Sequence, residues 1–591
     1  MWSYAPPLRD FRFVLEELLD VPREWERIPA LADMNLDTAL QIIEAAGRFA
    51  ADTLAPINSA GDAEGCHYAD GGVRTPAGFV EAYRQFCADG WPALACEGRF
   101  GGQGLPQLLN AALYEMLYAV NHAWTMYPGL AHGAYECLRS HAAPELAERY
   151  LPKIVSGEWL CTMCLTEPQA GSDVGLATTR AEPNPDGTYR ITGSKIFISG
   201  GEHDLTANIV HLVLARIPGA PTGTKGLSLF LVPKFLGEDL AEANTLRCDG
   251  IERKMGIKGS ATCVMRFDAA RGWLIGETHR GLGAMFVMMN SARLYVGLQG
   301  LGHAEMAYQN AVRYAHERRQ MRLAGNREHA EGATSAADPI IVQPAVRKLL
   351  LTLRAFVEGQ RALGMWSAHL LDAAEHHPDG AVQAESNDLL SVLTPIIKSL
   401  FTEHGFTLAS GALQVWGGYG YIRDFGVEQT VRDSRVALIY EGTNEIQAVD
   451  LLVRKVVGDR GRRLDVLLRL AEAEAQHCRD AAPCLAFAEV LAPLLSRWRS
   501  VTQTLIEEAP TAPALAYGVA NDYLRLAGLC VLAFWWARTA RIVATKLADP
   551  FYRVKFETAR FYFDHLLPEA ELRFALIERR HAPLPWIEPT A

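Results

Sequence analysis

The 591-residue chain has no apolar run long enough to span a bilayer. Its longest such run, residues 526–537, is twelve residues between Arg525 and Arg538, whereas a spanning helix needs about 20. The start, Met1-Trp-Ser, soon carries Asp and Glu instead of a basic head and an apolar stretch, so no secretory signal is expected. An excess of positive charge is missing too. Against 57 Lys and Arg stand 68 Asp and Glu, a net −11, which argues against a nucleic-acid footprint spread over the surface. A local basic pocket for an anionic ligand stays possible. The signatures GxxxxGK(S/T), HExxH and GxSxG do not occur, which removes the anchors of P-loop, zinc-protease and serine-hydrolase readings. Gly418-Tyr-Gly420 falls short of a dinucleotide fingerprint because Arg423 stands where the third glycine belongs. Neither internal repeats nor low-complexity tracts stand out.

Eleven cysteines, scattered from Cys66 to Cys530, are an odd number in a large chain and read as reduced core thiols of a cytosolic protein. The tight pair Cys161-Thr-Met-Cys164 sits in a strand-like run, where positions i and i+3 point to opposite faces. No second CxxC follows, so no metal site is expected. Hydrophobic residues at 49% and charged residues at 21% place the chain among globular proteins. At ~150 residues per domain it holds about four domains, large enough to need no disulfide or metal staple. The run 526–537 is expected to be a buried helix, with a membrane-surface helix presenting Trp535 and Trp536 as the sharper alternative.

Texture divides the chain. A lead-in of residues 1–35 has prolines and weak helical signals. Helical spacing follows to about residue 156, with Leu40, Ile43, Ala46, Ala50 and Leu54 on one face and Pro56 as a stop. Short β-rich runs then appear at 160–165, 191–198, 209–214 and 227–232, separated by turn signals such as Asp186-Gly187 and Gly223-Thr-Lys-Gly226. Strands at that spacing without helices between them suggest an antiparallel barrel or sandwich. Helical periodicity returns from Gly281 and continues to the end. Residues 461–591 carry 16 Lys and Arg against 15 Asp and Glu, so the acidity lies in the first 460 residues.

Three stretches can carry chemistry. In Leu165-Thr-Glu-Pro-Gln-Ala-Gly-Ser-Asp-Val174 a β run ends in a loop of small donors able to present N–H groups to a polar ligand; an ordinary strand exit would look alike. In Lys195-Ile-Phe-Ile-Ser-Gly-Gly201 a flat ring could lie against Phe197 with Ser199 at its edge, although core strand residues read the same way. The third comprises Gln414-Val-Trp-Gly-Gly-Tyr-Gly-Tyr421 and Ala437-Leu-Ile-Tyr-Glu-Gly-Thr-Asn-Glu-Ile446. Its glycines permit close backbone approach. Glu441 lies between an apolar run and Gly442-Thr443, where a raised pKa suits a general base and where a residue could equally just end an element.

Taken together and in order, these segments resemble the acyl-CoA dehydrogenase family of flavoproteins over about residues 36–458. The lead-in and the terminal block resemble its long bacterial subgroup, which includes fatty acyl-CoA and 3-methylmercaptopropionyl-CoA dehydrogenases. The resemblance implies an α+β multidomain fold: an extension (1–35), an N-terminal helical domain (36–157), a central antiparallel β-barrel-like domain (158–275), a four-helix bundle domain (276–458) and an additional C-terminal helical domain (459–591). It implies FAD as cofactor and no metal. Leu165, Thr166, Gly171 and Ser172 would border the flavin, Ser172 also near the CoA phosphates, with Phe197 and Ser199 flanking the ring. Asn290 and Arg293 occupy positions used for the pantetheine and adenine portions of CoA, with Asn290 standing where Asp is more usual. Arg318, in His316-Glu-Arg-Arg-Gln-Met321, would reach the FAD pyrophosphate of a neighbouring subunit, and Gln414, Gly417 and Gly418 its adenosine half. Thr443 and Glu445 would touch the chain's own cofactor, and Tyr440 and Gly442 the substrate. Gln169 and Met321 depart from the usual glycine and aromatic. Trp124, Tyr127 and Pro128 lie where the family's acyl pocket ends.

The same resemblance implies oxidation of a saturated acyl-CoA to the trans-2-enoyl-CoA, medium or long chain, in fatty acid β-oxidation. Glu441 would take the α-proton while the β-hydride passes to flavin N5, and the thioester oxygen would be held by the Glu441 N–H and a ribityl hydroxyl. Electron-transfer flavoprotein would accept the electrons from a homodimer or dimer of dimers in the bacterial cytoplasm, with contact at the inner membrane as an open possibility. The rivals are a 3-methylmercaptopropionyl-CoA dehydrogenase, an acyl-CoA oxidase and, from another class, a DNA-associated flavoprotein. The near-neutral terminal block disfavours the last.

Overall fold

A computed structural model describes residues 2–323, 337–579 and 587–588, with the side chains of Asn290 and Ser291 outside the description. Two compact units emerge, residues 43–295 and residues 1–42 with 296–591. The division falls inside the continuous helix Gly281–Glu317, so periodicity alone gives no mark of it.

In the unit 43–295, a hairpin of β1 (His67–Ala69) and β2 (Gly72–Arg74) accompanies helices and one sheet. The helix Gln107–His141 is buried on nearly every face and breaks at Asn121, whose φ of −156° is not helical. The Asn121 side chain accepts from the Trp124 N–H at 3.1 Å, restarting the helix as an N-cap does. Downstream, Trp124 donates its ring N–H to the Phe79 carbonyl, and the Tyr127 hydroxyl sits between the Gly259 carbonyl and the Ala261 N–H. Pro128 lines a hollow of about 10 Å³, room for about one water.

The sheet has seven strands: β3 (Trp159–Cys164), β4 (Arg180–Pro183), β5 (Tyr189–Ser199), β6 (Asn208–Arg216), β7 (Leu227–Pro233), β8 (Leu246–Ile251) and β9 (Thr262–Ile275). Neighbours run β6-β4-β5-β9-β7, and β7 pairs back onto β6, so the path closes like a barrel. Its pairings are antiparallel except two: β3 joins β6 in parallel from Trp159 opposite Asn208 to Cys164 opposite Val213, and β4 meets β6 in parallel at Arg180 and Arg216. The expectation of an all-antiparallel module is corrected at these points. The long connection between β3 and β6 makes a parallel return possible, because such pairs need a crossover of a dozen or more residues. Cys161 and Cys164 are buried free thiols, pushed up by burial, Cys164 to about 12.

The other unit is helical. Its lead-in is tied down by charge. Asp10 is buried and accepts from Arg361 at 2.5 Å and from Lys555; Arg361 also reaches Glu305 at 2.7 Å, and Lys555 reaches Glu358 at 2.9 Å. The first residues thus pack with the last helices of the chain. The helix Pro513–Val543 is long and apolar enough to cross a membrane by length and composition, yet 83% of its apolar window is buried. Trp535 and Trp536 are each 1% exposed. Trp536 donates to the Ala355 carbonyl at 3.1 Å, and Trp535 packs edge-on to Trp366 at 5.3 Å. A membrane contact through these two rings is therefore corrected: both are consumed by packing inside the unit.

Candidate functional site

Sequence-expected residues fall into three clusters. The first is the turn that carries Glu441. A short helical stretch, Arg435–Leu438, ends ahead of it, and Glu441 and Gly442 follow with φ of +56° and +80°. For a residue with a Cβ this left-handed backbone costs roughly 1–2 kcal/mol, so neighbours must impose it. Thr443 caps the helix Asn444–Val449, its hydroxyl accepting from the Ile446 N–H at 3.4 Å. Asn444 accepts from the buried Lys398 ammonium at 2.9 Å. Gln447, fully buried, donates its side-chain amide to the Glu441 carbonyl at 3.0 Å and to the Gly442 carbonyl at 3.3 Å. Tyr440 donates its hydroxyl to Gln299 at 2.5 Å. Glu441 itself is half-buried, and Glu445 points outward. The arrangement presents one carboxylate on a turn whose backbone is held from behind.

The second cluster lies in the same unit. Tyr314, Arg318, Gln320, Ile340, Trp416, Gly417, Gly418 and Tyr419 line a cavity of about 560 Å³. The Arg318 guanidinium sits 5.5 Å from the Tyr419 ring centre, and Tyr314 stacks on Trp416 at 4.2 Å. At Gly417, with φ +60°, and at Gly418, a Cβ would meet nothing within 4 Å, so ligand atoms can approach the backbone. A cation, bare backbone and stacked rings suit an aromatic group bearing phosphate. Gln414 is exposed at the end of the helix Gly380–Trp416 and does not line this cavity. Met321, where an aromatic is usual, is 74% exposed at φ +61°.

The third cluster belongs to the unit 43–295. Leu165 and Thr166 leave β3 half-buried, and Gly171 and Ser172 are exposed. A buried ion pair holds this loop: Lys195 reaches the Leu165 carbonyl at 3.0 Å and the Glu167 carboxylate at 2.9 Å. Glu167 also accepts from the N–H and hydroxyl groups of Thr178 and Thr179 and from Gln169 at 2.7 Å. The unusual Gln169 thus strengthens the anchor. Burial alone would raise the Glu167 pKa, but Lys195 and the threonine donors hold it well below the ordinary carboxylate value. Burial pulls the Lys195 ammonium downward. One bulge further along β5, between Lys195 and Ile198, turns Phe197 outward at φ +59°, 59% exposed. Ser199 is half-buried at the strand end. An aromatic face is thereby displayed, where plain alternation would have left a strand residue.

Arg293 lies buried on the helix Gly281–Glu317; the side chain of Asn290 lies outside the described residues. Among the described residues, no group of three or more His, Cys, Asp or Glu could hold a metal. Sequence reasoning passed over Glu167, Lys195 and Gln447 as anchors. A charged Lys195 inside an aromatic-aliphatic strand was the available signal for one of them. The other two depend on contacts no spacing rule encodes.

Comparison with known proteins covers nearly all of the chain. Profiles of the acyl-CoA dehydrogenase N-terminal, middle and C-terminal domains match residues 37–158, 162–270 and 322–456, and an acetyl-CoA dehydrogenase C-terminal-like profile matches 469–584. A 3-methylmercaptopropionyl-CoA dehydrogenase of Ruegeria pomeroyi is 39% identical over 586 residues, covering 97% of this chain and 98% of that protein. A broad-specificity linear acyl-CoA dehydrogenase of Mycobacterium tuberculosis is 35% identical over 78% of this chain and 76% of its own length. Among solved structures, the Caenorhabditis elegans protein ACDH-11 in complex with C11-CoA superposes with a TM-score of 0.75 at 18% identity, covering 95% of this chain and 91% of that one, a likeness of fold.

Proposed function

The chain belongs to the acyl-CoA dehydrogenase family of FAD-dependent oxidoreductases, and on that premise we propose that it removes hydrogen from the α and β carbons of a saturated acyl-CoA, with Glu441 as the base. The observation that carries the proposal is the Glu441 turn: a half-buried carboxylate on left-handed backbone, anchored through its own carbonyl. The α C–H of a thioester is too weak an acid for a carboxylate in water. Glu441 accepts that proton, and its own N–H is directed at the thioester oxygen, where enolate-like charge develops. FAD, when bound, supplies the acceptor for the hydride that leaves the β carbon. The residues present suit it: Leu165, Thr166, Gly171, Ser172, Phe197, Ser199, Thr443 and Glu445 are assigned to the chain's own FAD. Arg318, Gly417, Gly418 and Gln414 are assigned to the FAD of a second copy. Arg293 and Asn290 are assigned to CoA, with Ser172, Tyr440 and Gly442 beside the acyl thioester.

A medium- or long-chain fatty acyl-CoA in β-oxidation, electron-transfer flavoprotein as acceptor, a homodimer and a cytoplasmic setting complete the reading. The full-length 39% identity to the Ruegeria enzyme favours a second substrate reading, 3-methylmercaptopropionyl-CoA. An oxidase would instead release hydrogen peroxide with no other acceptor present.

The decisive experiment mixes FAD-loaded Glu441→Gln with octanoyl-CoA and with 3-methylmercaptopropionyl-CoA under anaerobic conditions. Full flavin content with no bleaching is expected; bleaching at the wild-type rate overturns the base assignment. A wild-type panel of acyl-CoAs from C4 to C18, with 3-methylmercaptopropionyl-CoA, then separates the two substrate readings by kcat/KM.

A further inference from the structure

We propose that Gln447 is a positioning residue for the reaction, setting the direction of the Glu441 turn through a neutral side-chain amide; this deepens the reading of Glu441 as base and rests on it. The amide orientation is unambiguous, since both partners are backbone carbonyls and only the –NH2 end can donate to them. The Nε2–O distances are 3.0 Å to Glu441 and 3.3 Å to Gly442. The other end, Oε1, is buried and has no hydrogen-bond partner among the described residues. Leaving a buried carbonyl unsatisfied is costly, and the fold accepts that cost to bring two donor hydrogens to two carbonyls. Gln447 is itself fixed: it is fully buried on the helix that Thr443 caps, and its backbone N–H bonds the Thr443 carbonyl at 3.0 Å.

Planarity makes this local contact directional. In a trans peptide, C=O and the following N–H point opposite ways. Holding the Glu441 and Gly442 carbonyls toward Gln447 therefore aims the N–H groups of Gly442 and Thr443 away from it. The two held planes flank Gly442 and so fix its left-handed φ of +80°, and the first of them is also the peptide that follows Glu441, at φ +56°, so holding it limits the directions in which that side chain can leave the backbone. Space enforces the same geometry, since a Cβ on Gly442 would come within 2.9 Å of the Gln447 amide nitrogen. Without the amide, Glu441 is free to relax to a negative φ, which swings its carboxylate off line.

The test compares wild type, Gln447→Glu and Gln447→Met as FAD-loaded enzymes, following anaerobic flavin reduction by octanoyl-CoA and by 3-methylmercaptopropionyl-CoA from pH 6 to 9. FAD content and thermal midpoint are measured alongside. The wild-type profile over this range is the reference for both variants. A buried carboxyl facing two carbonyls has a raised pKa. The carboxyl that Gln447→Glu introduces donates one O–H at low pH and none once ionised. Gln447→Glu should therefore lie within about threefold of wild type at pH 6 and at least tenfold below it at pH 9. Gln447→Met should be at least tenfold slower at every pH, with KM and FAD content unchanged. A Gln447→Glu profile parallel to wild type, or an undiminished Gln447→Met rate, overturns the inference. If Gln447→Met fails to fold, the pH ratio within Gln447→Glu still decides it. Glu441→Gln runs beside them: an active Glu441→Gln sinks the base reading, whereas an inactive one with unaltered Gln447 variants sinks only the positioning role.

Discussion

Glu441 and Phe197 both stand on left-handed backbone, at φ +56° and +59°, yet different chemistry holds the segments around them. Behind Glu441 lies a neutral amide, Gln447, bonded to two carbonyls. Beside Phe197 lies a buried ion pair, Lys195 with Glu167, with threonine donors completing the carboxylate's shell. The amide adds no charge of its own to a turn that already has the buried Lys398 ammonium on Asn444, three residues from Glu441. A charged anchor suits a loop of exposed small residues, because it can gather several donors at one point. The two anchors should thus differ in what breaking them costs and in how they respond to acid.

The largest contrast should come from removing one partner of each. Lys195→Met leaves Glu167 buried without its counter-ion and is expected to cost about 3–5 kcal/mol. Gln447→Met leaves two carbonyls unpaired and should cost about 1–3 kcal/mol. Chemical denaturation of both variants measures this, and equal losses would erase the distinction.

Acid should separate the anchors next. Glu167 has its pKa depressed in the folded chain, so its stabilisation is complete above the ordinary carboxylate value of 4.5 and drains away progressively as pH falls from there toward the depressed value. Gln447 has no proton to gain. Pulsed amide exchange, corrected for intrinsic rate, should show residues 165–179 losing protection between pH 5 and 3 ahead of residues 440–447. Simultaneous loss would mean that the ion pair is not the local anchor.

A smaller effect tests the cavity that the Glu441-bearing unit also contains. Arg318→Ala removes the one cation among the described residues that line it and should lower the FAD retained through purification severalfold, read from the ratio of flavin to protein absorbance. The smallest effect belongs to Gln414→Ala. That side chain is exposed and outside the cavity lining, so flavin content should stay within about 20% of wild type, consistent with the ±0.5 kcal/mol typical of surface substitutions. Flavin loss equal to that of Arg318→Ala would give Gln414 as large a share as the arginine in holding the second copy's flavin.

The segments proposed for the site stand out in the sequence beforehand, and the reason is local. Gly417-Gly418, Glu441-Gly442-Thr443 and the 165–173 loop are short motifs whose residue types carry their chemistry wherever the chain places them. Phe197 was legible as an aromatic but not as an exposed one, because a bulge in the β5–β9 ladder depends on pairing with a strand some 65 residues away. The Lys195–Glu167 bond spans 28 positions, and no periodicity links them. In the helix Pro513–Val543, the apolar run 526–537 reads identically whether its rings face lipid or a core. Only the packing of Trp535 and Trp536 against Trp366 and Ala355 separates the two.

Residue order by itself determined the succession of helices, strands and helices and the family to which the motifs point. These follow from spacing, composition and short-range chemistry, which act within a few residues. Tertiary structure alone decided which groups act as anchors. It closed the sheet with β3 in parallel, joined Asp10 to Lys555 across 545 positions, and placed Gln447 behind the Glu441 turn. Each of these is a pairing of polar groups taken out of water. A buried polar group must find its partner wherever the fold brings one, and that address is not written in the neighbouring residues.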